Sequence, residues 1–165
     1  MTDAVDTALA AIVALPCDPL IAEAIAYWQR IRPSEGMLPG RRHFDPVEIP
    51  RLLPNVAMLD VVREPHIRVK GRMSGSKLTE VYGTGLVGSF FDEVIPDFDD
   101  SRAAKDYRQV VTDGVPSWYR GAQSVKRGKS FLGIERILLP LAEDGRAVDM
   151  ILAVYLFFYS DGQRY

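Results

Sequence analysis

The sequence predicts an α+β domain: a five-stranded antiparallel sheet in the order 2-1-5-4-3, with short helices on one face and helices at the N-terminus. Three observations carry this. Helical periodicity fills residues 2–32 and stops at a proline-rich stretch. Between Ile67 and Gly83 the apolar period changes from two to helical spacing, with Ser74-Gly75-Ser76 at the corner. From Ser117 onwards the chain reads as three strands separated by turn signals.

The bulk numbers set limits. A chain of 165 residues is one domain with extensions, or a domain plus a helical arm. It can bury roughly 70% of its unfolded surface, so it needs no staples. Hydrophobic content of 47% and charged content of 25% are those of a soluble globular protein. A net charge of −2 gives no pull towards nucleic acid or anionic membrane. The one cysteine, Cys17, rules out an internal disulfide framework and fits a reducing compartment. Asp3 and Asp6 stand where a signal peptide needs positive charge, and no stretch is long and apolar enough to span a bilayer. The expectation is a cytoplasmic protein with neither membrane insertion nor nucleic-acid binding. Its parts are an N-terminal helical extension (1–32), a proline-rich connector (33–55) and a core domain (56–160).

Residues 2–15 place Val5, Ala8, Leu9, Ile12 and Val13 on one stripe. So short a helix is marginal alone in water and needs a surface, its own domain or a second copy. Asp18 is a good N-cap for the next helix, and Pro19 suits its first turn. Ile21, Ala24, Ile25, Trp28 and Ile31 share a face, and Pro33 sets the end near Arg32. Residues 33–55 carry five prolines and two glycines and read as a packed connector rather than a strand.

Val56–Val62 is apolar on both faces and reads as a central strand. In the next strand Ile67, Val69, Gly71 and Met73 alternate with Arg68, Lys70 and Arg72, a charged face that suits a sheet edge. Leu78, Val81 and Tyr82 form a short helix that Gly83 stops. Ser89 is the expected cap of a helix holding Phe90, Phe91 and Val94, and Asp99 or Asp100 that of the following one, with Ala103, Tyr107, Val110 and Val111 on a stripe. Ser117–Val125 pairs with Ser130–Leu139 through Lys126–Lys129. Asp144-Gly145 then turns the chain into Ala147–Tyr159, the longest apolar strand and a central one.

Gly83-Thr84-Gly85-Leu86-Val87-Gly88 matches the dinucleotide fingerprint letter for letter. That mechanism needs a strand before the glycines and a second parallel strand ending at the acid. Here a helix precedes them, and Asp106, at the right distance, sits in a helical stretch, so the glycines read as turn residues.

Several segments match one pattern in order and spacing over residues 24–158. They begin with Tyr27-Trp28 and Arg30. Leu38-Pro39, Arg41 or Arg42, and Phe44-Asp45-Pro46 form a "P-x-R-x-d-f-d-P" connector. Ile49-Pro50, Leu52-Leu53-Pro54 and Leu59-Asp60-Val61 follow. Arg72, Gly75, Tyr82-Gly83, Leu86 and Gly88 fit "R-x-x-G-x…y-G-x-x-l-x-G". Glu135-Arg136, Leu139-Pro140-Leu141 and Gly145 fit "e-r-x-x-x-P-L…d-G". Together they resemble the PAS superfamily, small sensory domains of bacterial signalling, and within it a stand-alone subgroup formerly of unknown function. Gly71 departs from the pattern, which usually has an aromatic before the arginine. The resemblance implies a small-molecule pocket between sheet and short helices, and dimerisation through an N-terminal helix.

No particular cofactor follows. A covalent flavin photosensor needs a cysteine in the helical segment facing the flavin, and Cys17 lies far upstream; non-covalent flavin stays open. Haem needs an axial ligand, and His43 and His66 lie in the connector and a charged turn. Metal-ligand spacings and nucleophile motifs are absent, and the acidic trio Asp97, Asp99 and Asp100 lacks the calcium-loop pattern.

The expected function is therefore a non-enzymatic sensory or regulatory module that binds an unknown small molecule or a signalling protein. The expectation is that no output domain is attached and that a signal passes by contact. Its candidate pocket takes Met58 and Met73 from the first strands and Leu78, Tyr82, Phe90 and Tyr107 from the helices. Trp118, Tyr119, Arg136 and Met150 come from the last strands. Asp60 and Arg72 are the polar candidates, and Arg72 is a natural partner for Asp60, Glu80 or a ligand carboxylate. One alternative is a ligand-free dimeric scaffold joined through the N-terminal helices. Another is a small cone-type α+β enzyme using a buried carboxylate, Asp60 first.

Overall fold

The computed structural model describes residues 2–122 and 133–165. Two helices open the chain. α1 (Thr2–Val13) buries Val5, Leu9 and Ile12 in the domain's own core, roughly 1.5–3 kcal/mol for each side chain. α2 (Pro19–Arg30) is capped as its sequence demands, the Asp18 side chain accepting from the Leu20 amide at 2.9 Å. It buries Ile21, Ala24, Ile25 and Trp28, and the Trp28 indole donates to the Pro140 carbonyl at 2.9 Å. The connector makes three 3₁₀ turns, Arg41–His43, Pro46–Glu48 and Leu53–Asn55, and buries Phe44, Ile49 and Leu52.

The sheet holds β1 (Val56–Val62), β2 (Arg68–Ser74), β3 (Ser117–Gly121), β4 (Gly133–Leu141) and β5 (Met150–Phe158). All pairings are antiparallel and the order is β2-β1-β5-β4-β3, as the two doubly apolar strands predict for the centre. Pro140 costs β4 no ladder bond to β3, because β3 begins opposite Leu138. The far ends expected for the third and fourth strands, Val125 and Ser130, and their turn at Lys126–Lys129, lie outside the described residues.

Between β2 and β3 come α3 (Ser76–Tyr82), α4 (Phe91–Val94) and α5 (Arg102–Asp113). Gly83 ends α3 at φ 86°, with its amide on the Thr79 carbonyl. The cap of α5 is Ser101, whose hydroxyl accepts from the Ala104 amide at 3.1 Å, not Asp99 or Asp100. α4 has no side-chain cap; Phe90 occupies that place instead of Ser89.

One irregularity redirects the second strand. Met58 lies opposite Met73 and Leu59 opposite Gly71, so Arg72 is an extra residue and β2 bulges there. Strict alternation from Ile67 to Met73 therefore fails, and Met73 crosses to the other face from Val69 and Gly71. Gly71 has its own reason: a Cβ there would overlap the Leu86 carbonyl. The chain at 86–90 runs along the outside of β2, where Gly71 donates to the Ser89 carbonyl and accepts from the Gly88 amide. The edge is thus covered by backbone, and the missing aromatic makes room for it.

Candidate functional site

Residues paired across a sheet point to the same face, and neighbours along a strand to opposite faces. In β4 this separates two adjacent charges. Arg136 lies opposite Tyr155 and faces α3–α5, whereas Glu135 lies opposite Leu156 and faces the α1–α2 junction. Their exposures are 2% and 0%. Buried charges of this kind persist only when their surroundings hold them.

A cavity of about 30 Å³ sits between the sheet and the short helices. Ile134, Arg136 and Tyr155 form its floor, and Leu78, Tyr82, Leu86, Phe91, Ile95, Phe98 and Ala103 its wall. Phe91 and Phe98 meet edge to face at 5.7 Å, and both pack on Tyr107 at about 6 Å. As it stands the space suits about two waters.

The polar end of the cavity is an ion cluster. Arg136 donates through Nη2 to Oδ2 of Asp106, which is 4% exposed. Arg102 Nε donates to the other oxygen, Oδ1, at 2.8 Å. The Tyr119 ring lies 4.7 Å from the Arg136 guanidinium. Among the described residues, Arg136 Nε is buried with no hydrogen-bond partner. Tyr107 and Tyr155 share a hydrogen bond between their hydroxyls. Burial pushes both phenols above the ordinary tyrosine range; the neighbouring Tyr155 adds to the effect at Tyr107, and the Arg136 charge opposes it at Tyr155.

Across the sheet, Glu135 Oε1 accepts from the Asp18 amide at 3.0 Å and the Trp118 indole at 2.9 Å. Oε2 has no hydrogen bond among the described residues, and Arg120 Nη1 stands 3.8 Å away. Arg120 also donates to the Pro16 carbonyl at 3.0 Å. The α1–α2 junction is thereby tied to the middle of the sheet.

Of the residues expected at the pocket, Leu78, Tyr82 and Arg136 line the cavity, Tyr107 bonds Tyr155 from behind, and Tyr119 lies against Arg136. The others lie elsewhere. Met58, Met150 and Trp118 point to the opposite face by strand parity, and the bulge sends Met73 there too. Phe90 is outside, under the Arg68 guanidinium at 3.7 Å. Asp60 and Arg72 form a half-exposed ion pair at 3.2 Å beside Lys70 and Met150, away from the cavity. Sequence reasoning missed Tyr155, Phe91, Phe98 and Asp106. Asp106 had a usable signal: it sits at i+3 in the Ala103, Tyr107, Val110 stripe, a carboxylate on an apolar face.

The PAS domain family matches residues 18–156. The chain belongs to the PAS domain family. PAS domains are sensory and signalling modules, typically without enzymatic activity. No curated protein matches this chain. Among solved structures, a light-oxygen-voltage domain studied with a flavin analogue is similar at a TM-score of 0.44 and 15% identity, over 70% of this chain and 84% of that one. Among the described residues of this PAS domain, no helix is long and apolar enough to cross a membrane.

Proposed function

We propose that this PAS domain is a non-enzymatic sensory or regulatory module. It binds a small molecule in the cavity over Arg136 and Tyr155 and passes the bound state through β4 to the α1–α2 junction, where a signalling protein reads it. The observation that carries this is the Glu135-Arg136 pair. One side chain lines the cavity and the next holds the first amide of the α2 cap. A shift of β4 that improves contacts on one face changes hydrogen bonds on the other, which is the differential interaction a switch requires. The enzymatic alternative gains no support here. Asp60 is away from the cavity, and Asp106 has both oxygens occupied by guanidinium groups.

The dimeric scaffold joined through N-terminal helices rests on Val13 and Leu15, which are 54% and 44% exposed at the end of α1. Native mass spectrometry before and after denaturation separates the two readings. A stoichiometric small molecule released on unfolding supports the sensor. Bare protein with a dimer peak that a Val13→Glu, Leu15→Glu double variant abolishes supports the scaffold.

A further inference from the structure

We infer that the ligand of this cavity is a neutral, largely apolar molecule held through one carbonyl-type oxygen, which accepts from Arg136 Nε–H and from the Tyr155 hydroxyl. The inference rests on the sensory reading above and names the chemistry that reading leaves open. It starts from donors. Arg136 is buried, lines the cavity and has an Nε with no hydrogen bond to any described residue. With no acceptor among those residues, this donor is left to an oxygen in the cavity, of water or of a ligand. The Tyr107–Tyr155 bond uses one hydroxyl proton. With Tyr107 as donor, the Tyr155 proton is available to the cavity its side chain lines. Arg136 and Tyr155 are directly opposite across β4 and β5. Their Cβ atoms are therefore about 5 Å apart. Both side chains therefore leave the sheet side by side on the cavity face, and one oxygen with two lone pairs can accept from two donors.

Charge excludes the anionic version. Asp106 already supplies the carboxylate that balances Arg136, and Arg102 takes its second oxygen. A ligand carboxylate would bring a second negative charge and about four acceptor sites to two donors, among aliphatic and aromatic walls. A carbonyl brings no charge and fits both donors. The rest of the molecule is apolar because its neighbours are Leu78, Ile95, Phe91 and Phe98. In the ligand-free state the cavity suits water. A ligand makes room by displacing Phe91 and Phe98, carried on a four-residue helix and a three-residue 3₁₀ turn.

Three probes of nine heavy atoms test this: acetophenone, isopropylbenzene and benzoate. Each is titrated into the full chain while the Arg136 Nε–H cross-peak and the cavity methyl groups are followed by NMR. Acetophenone is expected to bind about tenfold tighter than either of the others and to move the Arg136 Nε–H signal, one charge-assisted hydrogen bond being worth at least that factor. Tyr155→Phe should reduce that preference and leave isopropylbenzene unchanged. Equal binding of ketone and hydrocarbon without movement of the Nε–H signal overturns the carbonyl anchor while keeping the pocket. Tightest binding of benzoate overturns the neutral class. If none of the three disturbs the cavity methyls, the pocket reading itself is wrong and this inference falls with it.

Discussion

Glu135 and Arg136 are consecutive, buried and oppositely charged, yet β4 delivers them to different surroundings. Glu135 is held by a main-chain amide and an indole, with Arg120 at 3.8 Å from its second oxygen. It fastens one segment of chain to another. Arg136 meets a buried carboxylate, an aromatic ring and a cavity, and keeps one donor unused. Burial of a charge therefore does not mark a binding site by itself. The mark is a buried donor without a protein acceptor, beside a cavity.

Asp106 is where the two buried charges should differ most. Replacing it with Ala strands the Arg136 charge in the core and should cost about 3–5 kcal/mol in urea unfolding. The damage should extend across the cavity, because Tyr107 is on the same helix. Glu135→Ala leaves the Asp18 amide and the Trp118 indole without their acceptor and should cost about 2–3 kcal/mol. Its signature is local: hydrogen exchange should accelerate at Asp18 and through α2 but not in α5. If both variants loosen the same amides, the two faces form one cooperative unit and the distinction drawn here fails.

Much of the fold was legible. Doubly apolar runs identified β1 and β5 as central, and the Asp144-Gly145 turn joined β4 to β5. The site was legible only in part. Choosing methionines and aromatics by residue type ignored strand parity, and parity places Met58, Met150 and Trp118 on the far face. The Arg72 bulge adds a second error, since nothing local in RVKGRMS announces an extra residue. Tyr155 was hidden because a tyrosine in an apolar strand looks like core. Its meaning emerges only from its register with Arg136, set by pairing between distant parts of the chain.

The cavity face should also respond to alkali. Tyr107 and Tyr155 titrate above the ordinary value of 10.0, chiefly through burial. The unfolded chain therefore ionises first. The contribution of these groups is complete below pH 10 and declines as pH rises through the raised folded values, by about 1.4 kcal/mol per pH unit for each phenol. Denaturation followed from pH 9 to 11.5 should show this decline, and Tyr107→Phe should make it shallower. A slope unchanged by Tyr107→Phe would mean that the hydroxyl pair is open to solvent.

The smallest effect belongs to Arg102, and it separates the two guanidinium groups on Asp106. Arg102 is one helical turn before Asp106, with 59% of its side chain exposed, while Arg136 is enclosed. Water already solvates the Arg102 charge in either state, and salt screens what is left. Arg102→Ala should therefore cost no more than about 0.5 kcal/mol, the usual worth of an i,i+4 pair. Asp106 keeps its hydrogen bond to Arg136 in that variant, so the Arg136 Nε–H signal should stay in place. A larger loss, or a displaced signal, would show that Arg102 positions Asp106 for Arg136. The anchor would then be a three-member cluster extending to the protein surface, open to modulation by whatever binds Arg102.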